Sequence, residues 1–266
     1  MEVTTASESD IAFAHNLILE AGQLAQQIAE AGYTTDWKPD NTPVTPIDKQ
    51  VNDLLIKRIK AAYPDDSVYG EEKSAEGNSG FTWIADPFDG TQSLGLFPTG
   101  TICLARTGPD GQPLFSHILN PVTGELFAAS NEGSSTVNGH PLRVSEKDAL
   151  KGSYIFLGSR LPATTASNGT VYDRLESEGA KIINVRSLAF SCCMVASGRA
   201  EGAFIGVRTP FEAASVKLLV EHAGGRVTDL AGNPSDSFRY DTDINGLVVS
   251  NGRLHERILA SLTLAA

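Results

Sequence analysis

The sequence predicts an α+β first half joined to an α/β second half. Three features carry that prediction: two amphipathic helical runs near the start, β-rich runs parted by Gly/Pro turns from Thr101 to Ser130, and strand–helix alternation after about residue 150. No Pro/Gly-rich linker parts the halves, 1–150 and 151–266, so they read as one integrated unit sharing an interface. A chain of 266 residues, 41% hydrophobic and 20% charged, has ordinary globular composition and can bury a large core.

Residues 8–31 are rich in Ala, Leu, Ile and Gln at helical spacing and stop near Gly32. TTDWKPDNTPV follows as a polar loop. In TPIDKQVNDLLIKRIKAAYP, Thr45 is the N-cap, Pro46 takes the first helical position and Asp48 the capping-box position. Ile47, Val51, Leu54, Leu55 and Ile59 form its buried stripe, and Pro64 stops it. SVYGEE and FTWIADP are short strands. TICLART, PLFSHIL and ELFAAS are strands separated by GPDGQ and NPVTG, and Asn138-Gly139 makes a hairpin in TVNGHPL. Beyond residue 150, YIFLGS, KIINVRS and GAFIGV are strands alternating with helices in VYDRLESEG, LAFSCCMVASGRA and PFEAASVKLLVEHAGG. GRVTDL and NGLVVSN are further strands, and RLHERILASLTL closes the pattern as a helix.

Charge excludes whole classes of partner. Twenty-one basic against 32 acidic residues give −11, a field that repels nucleic acid and anionic membrane. A phosphorylated substrate would therefore need cations to receive it. Three cysteines, two of them adjacent at 192 and 193, fit a reducing compartment. The polar MEVTTASESD start has no leader pattern and no apolar run reaches membrane length, so a cytoplasmic protein is expected.

GEEKSAEGNSGFTWIADPFDGTQS is the most informative segment. Glu71 follows one strand, and Asp86 and Asp89 end the next, in a turn that aims two carboxylates at one point. Clustered carboxylates repel unless a cation lies between them, and carboxylates with a carbonyl suit a hard ion such as Mg²⁺. Gly90 lets backbone approach a ligand, and the amides from Gly90 through Thr91 and Gln92 to Ser93 can face an anion. One loop thus offers metal ligands beside phosphate donors, the pairing that metal-assisted phosphoester hydrolysis requires. Read alone, the same stretch is also good turn chemistry, and Asp48 is equally a plain capping acid.

GEE, then WIADPFDGT, then FEAASVKLLVEHAGG resemble the ordered blocks of the inositol monophosphatase family, lithium-sensitive Mg²⁺-dependent sugar-phosphate phosphatases. Val44, Thr45 and Asp48 match its early V-T-x-x-D. The resemblance implies a layered αβαβα sandwich and a phosphoric monoester hydrolase acting on inositol 1-phosphate or a related sugar or polyol phosphate. It implies two or three Mg²⁺ ions held by Glu71, Asp86, the Phe88 carbonyl, Asp89 and Glu212. Thr91 would position the attacking water, with Asp48 and Glu71 completing the catalytic set. Gly90, Thr91, Gln92, Lys38, Arg186 and Ser187 would meet phosphate or substrate. It also implies a small phosphorylated metabolite as partner and a homodimer.

Two departures bear on substrate. Phe211-Glu212 stands where the family has Trp-Asp, and Glu212 also fits a capping box begun at Thr209. Ile205 occupies the place of an acid that meets substrate hydroxyls, and an isoleucine accepts no hydrogen bond. Histidinol phosphate and a 3'(2'),5'-bisphosphate nucleotide are therefore alternative substrates. A non-catalytic regulatory or binding protein that kept the fold is the alternative of another class.

Overall fold

A computed structural model of the chain describes residues 5–39, 41–93, 98–158, 160–208, 210–242 and 244–264. The first helix, α1 (Glu8–Ala31), is capped by the Ser7 hydroxyl, which accepts from the Asp10 amide at 3.1 Å. It ends at Gly32, whose φ of +80° suits a residue without a side chain. Two-residue strands β1 (Asp36–Trp37) and β2 (Pro43–Val44) pair antiparallel inside the stretch that the sequence presents as loop. They are too short to show alternation. Helix α2 (Pro46–Ala62) carries the capping box at Thr45 and Asp48. Its buried stripe takes in Asn52, while Leu54 is only half-buried.

Seven strands follow as one sheet: β3 (Ser67–Gly70), β4 (Thr82–Asp89), β5 (Thr101–Thr107), β6 (Pro113–Leu119), β7 (Leu126–Ser130), β8 (Ser134–Val137) and β9 (His140–Pro141). They lie in chain order. β3 and β4 are parallel, and the rest form an antiparallel meander. The second half contributes β10 (Tyr154–Leu157), α3 (Asn168–Ser177), β11 (Lys181–Ile183), α4 (Leu188–Ala196), β12 (Gly202–Arg208), α5 (Pro210–His222), β13 (Arg226–Thr228), β14 (Asn245–Ser250) and α6 (His255–Ser261). Its five strands run in the order β11-β10-β12-β14-β13, with β14 antiparallel to both neighbours. Helix α3 begins three residues before the VYDRLESEG pattern because Ser167 caps it, accepting from the Thr170 amide.

The alternation of side chains along the strands builds the layers. On β4 and β5, Trp83, Ala85, Ile102 and Leu104 point to α1 and α2, whereas Ile84, Cys103 and Ala105 point to α4 and α5. Both faces are covered, so these strands read as continuous apolar runs. A third cluster, with Val171, Leu175, Phe204, Val248 and Ile258, seals α3 and α6 onto the outer face of the second sheet. The order is helices, seven-stranded sheet, α4 and α5, five-stranded sheet, helices: an αβαβα sandwich. Because α4 and α5 are the middle layer, α4 is apolar almost all round, with Cys192 and Cys193 fully buried and, like Cys103, unpaired, while α5 buries Glu212 and Lys217 among its apolar residues. No helix among the described residues is long and apolar enough to cross a membrane.

A candidate metal centre where β4 meets the middle layer

Strand β4 does not turn at Asp86, as the sequence suggests, but continues to Asp89 across one register shift. Asp86 pairs with Cys103 and Asp89 with Thr101, so three steps on β4 oppose two on β5. That extra residue is a β-bulge at Pro87-Phe88, where proline has no N–H to give the ladder. In a regular strand, residues three apart face opposite sides; the inserted residue returns Asp86 and Asp89 to the same side. Gly90 then reverses the chain at φ +98°. A Cβ there would lie 2.9 Å from the Ser187 Cβ, so both the conformation and the close approach require glycine.

Asp86 and Asp89 meet Glu212, from the first turn of α5. One carboxylate oxygen of each lies within 4.8 Å of the others, and all three residues are buried. Glu212 Oε2 has no hydrogen-bond partner among the described residues. Burial, then the charges of Glu71, Glu212 and Asp89, push the Asp86 carboxyl well above its usual range, against one bond from the Phe88 amide. Burial, then Asp89 and Glu71, do the same to Glu212. Burial also raises Asp89, but donors oppose it. Ser187 Oγ (2.6 Å), the Ala189 amide (2.8 Å) and Thr101 Oγ1 (3.3 Å) reach its Oδ2, and the Leu188 amide (3.1 Å) reaches Oδ1. Asp89 therefore caps α4 across the sheet interface, a role Ser187's own side chain leaves open. Three buried acids with an orphaned oxygen and upward-shifted carboxyls fit a hard cation.

Lys38, Glu71, Phe88, Gly90, Thr91, Gln92 and Arg186 line the same cavity, of about 450 Å³, whereas Asp48 and Ser187 stand behind it. Glu71 stays outside the trio, and its Oε1 holds Lys38 Nζ at 3.1 Å while Glu72 holds it at 2.5 Å. Burial disfavours the Lys38 ammonium, but the two glutamates outweigh burial and push its pKa up. A cation thus already sits against this acid cluster. Asp48 has two jobs at once. Its Oδ2 accepts from the Thr45 amide and hydroxyl, each at 2.7 Å, and its Oδ1 accepts from Thr91 Oγ1 at 2.8 Å. The Phe88 carbonyl lies 3.0 Å from the same hydroxyl. Gly90, Thr91 and Gln92 line the cavity, and Thr91 and Gln92 begin a 3₁₀ turn.

Arg186 lies at the rim with its Nε 2.7 Å from Gln92 Oε1 and one Nη 3.0 Å from the Gly158 carbonyl. Ser187, anticipated at the substrate, is 1% exposed and does not line the cavity; its hydroxyl is spent on Asp89. Ile205 is fully buried in the core between the sheets, so its side chain offers nothing to the cavity. The cap that Thr209 would give Glu212 lies outside the described residues. Sequence reading missed Arg160, which also lines the cavity, and the Phe211 ring, packed 4.9 Å from Tyr69. Neither carries a local signal, since both depend on how distant elements pack.

Comparison with known proteins gives the family and the fold. The profile of the Inositol monophosphatase family matches residues 6–265. A histidinol-phosphatase of Chlorobaculum parvum is 32% identical over 230 residues, 85% of each chain. Inositol monophosphatase 1 of Solanum lycopersicum is 31% identical over 84% of this chain and 83% of its own. A Nus factor, SuhB, of Xylella fastidiosa is 31% identical over 73% and 71%. Among solved structures, a Thermotoga maritima IMPase superposes with a TM-score of 0.83 at 25% identity, covering 95% of this chain and 96% of its own.

Proposed function

The chain belongs to the inositol monophosphatase family, and from that premise we propose that it is a Mg²⁺-dependent phosphatase releasing inorganic phosphate from a small phosphomonoester. One observation carries the reading. The buried trio of Asp86, Asp89 and Glu212, with its orphaned oxygen, opens on the same cavity as Thr91, whose hydroxyl donates to Asp48 behind it.

Asp86, Asp89 and Glu212 would hold the cation, with Glu71 and the Phe88 carbonyl as further donors. Two or three ions is the family expectation. When bound, Mg²⁺ supplies neutralisation of the phosphate's charge and a lowered pKa for water. The protein's own groups do the rest. Thr91 Oγ1 has one proton, and Asp48 Oδ1 is its closer acceptor, so a lone pair of the hydroxyl stays free to accept from water and aim its oxygen at phosphorus. Asp48 keeps this geometry because the capping box fixes its other oxygen. The amides of Gly90 and Thr91 receive phosphate oxygens, and Lys38 balances charge at Glu71. Glu212, one methylene longer than aspartate, would still offer a carboxylate oxygen to a hard ion.

Within this class, inositol 1-phosphate or a related polyol phosphate, histidinol phosphate and a 3'(2'),5'-bisphosphate nucleotide compete. Likeness to the Nus factor SuhB favours a second reading, a regulatory protein that binds the ion without turnover. A homodimer, a cytoplasmic location and lithium inhibition extend the first reading. Phosphate release from a panel of these esters, with Mg²⁺ and with chelator, tests it. Mg²⁺-dependent release supports the enzyme. Calorimetric Mg²⁺ binding with no release on any ester supports the regulator.

A further inference from the structure

The cavity carries charge of both signs. The acid trio lines it, and so do Arg160 and Arg186. Neither arginine meets a carboxylate, as is also true of Arg143, Arg174 and Arg253 among the described residues; what sets these two apart is the cavity they share with the acids. Arg58, Arg106, Arg199, Arg226, Arg239 and Arg257 each meet a carboxylate. Arg186 meets only neutral oxygens, on Gln92 and Gly158. Arg160 is exposed and has no hydrogen-bond or ion-pair partner among the described residues. In a molecule of net charge −11, two guanidiniums without a counter-charge facing one cavity are a standing anion site.

Local geometry supports this. Arg186 has φ +57°, a conformation that costs energy for a residue with a Cβ, and the Asn184 side chain holds its amide. The guanidinium uses three of its five N–H groups internally, on Nε, Nη1 and Nη2, and so keeps one on each terminal nitrogen. Two N–H groups thus remain for the oxygens of a carboxylate or phosphoryl group. The volume also fits. At roughly 30 Å³ per water, 450 Å³ holds about fifteen waters, far more than one phosphate fills.

We infer that the substrate carries a second anionic group, phosphoryl or carboxylate, which Arg160 and Arg186 bind while the ester phosphate lies over the acid trio. This rests on the phosphatase reading and narrows it. A neutral polyol gains nothing from these arginines, and the ammonium of histidinol phosphate is repelled by them.

The test compares kcat/KM for fructose 1,6-bisphosphate, 3-phosphoglycerate, inositol 1-phosphate and histidinol phosphate in wild type and Arg160→Glu. Arg160 holds nothing else in place, so its variant folds; Arg186→Gln is the second variant. Hydrogen bonds to charged groups are worth roughly ten- to a hundredfold. The expected result is at least about a tenfold preference for one of the first two esters over inositol 1-phosphate. Arg160→Glu should erase it and shift preference toward histidinol phosphate. The first two esters distinguish a phosphoryl from a carboxylate occupant. Calorimetric binding of the same esters is read beside turnover. Binding of the doubly charged ester that depends on Arg160, without turnover, overturns the hydrolase and keeps the subsite. Equal preference, or a preference unmoved by Arg160→Glu, overturns the subsite and keeps the hydrolase.

Discussion

Thr91 Oγ1 lies between two acceptors with one proton to give, and that constraint makes it an orienting group. Thr91→Val keeps the shape and removes the hydroxyl. It should lower kcat by roughly 10²- to 10⁴-fold while leaving Mg²⁺ affinity near wild type, measured by steady-state phosphate release and calorimetry. Ser187 acts one step further out, through the carboxylate of Asp89. Ser187→Ala should weaken Mg²⁺ binding roughly ten- to a hundredfold, as loss of a ligand's supporting hydrogen bond does elsewhere. An unchanged Mg²⁺ affinity would mean that the remaining donors to Asp89 suffice. The contrast between these residues also shows what a sequence can convey. Asp86, Asp89, Gly90 and Thr91 are contiguous, so their shared chemistry is readable from order alone. The bond from Ser187 to Asp89 spans 98 positions and exists only because two sheets pack, and the bulge that aligns the aspartates is visible only as a register shift.

Elements are fastened by buried polar groups as much as by apolar faces. Asp66, before β3, accepts from Trp83 Nε1 and Arg106 Nε, each at 2.9 Å, and from the Ser79 hydroxyl at 2.7 Å. Arg106 also reaches Asp10 on α1 at 2.8 Å and lies 4.4 Å from the centre of the Phe81 ring. Asp66→Ala would leave the Arg106 guanidinium with Asp10 alone and strand the indole N–H, at a cost of about 1–3 kcal/mol in urea unfolding. His255 fastens α6 to the second sheet, between Thr228 at 2.9 Å and Ser250 at 2.8 Å. Burial, with the charge of Arg226, lowers its pKa to about 4. A lowered folded-state pKa stabilises fully above the unfolded value near 6.5, and that contribution fades as pH falls toward 4. His255→Gln should therefore be less stable at pH 7.5 but flatter between pH 6.5 and 4.5, by on the order of 2–3 kcal/mol across that window. α1, α2 and α3 were legible because each has a capping side chain and a buried stripe. β1 and β2, two residues each, have neither.

At the scale of the molecule, folding places three like charges in one buried spot, and the cation that offsets them should appear as stability. At one hundred times its Kd, Mg²⁺ adds about 2.7 kcal/mol, which for a chain of this size raises Tm by roughly 5–10 °C. The raised carboxyl pKa values mean that the metal-free cluster destabilises as pH rises and the acids ionise, and a cation binds only the ionised form. The Mg²⁺-induced rise in Tm should thus be larger at pH 7.5 than at pH 5.5. The histidine contribution cancels in that difference. The layered sandwich was legible from ordered sequence blocks, whereas periodicity alone yielded only two halves. Ile205 and Arg160 show the limit: one is in the core, the other on the cavity wall, and no local pattern separates them.

The most direct measurement is the rate of phosphate release against Mg²⁺ concentration for wild type and Asp86→Asn, with a cleaved ester from the panel. The predicted result is saturable, Mg²⁺-dependent release in the wild type, abolished by chelator and reduced by several orders of magnitude in a folded Asp86→Asn. Release that ignores chelator, or an Asp86→Asn protein as active as the wild type, would contradict a metal centre built on these acids.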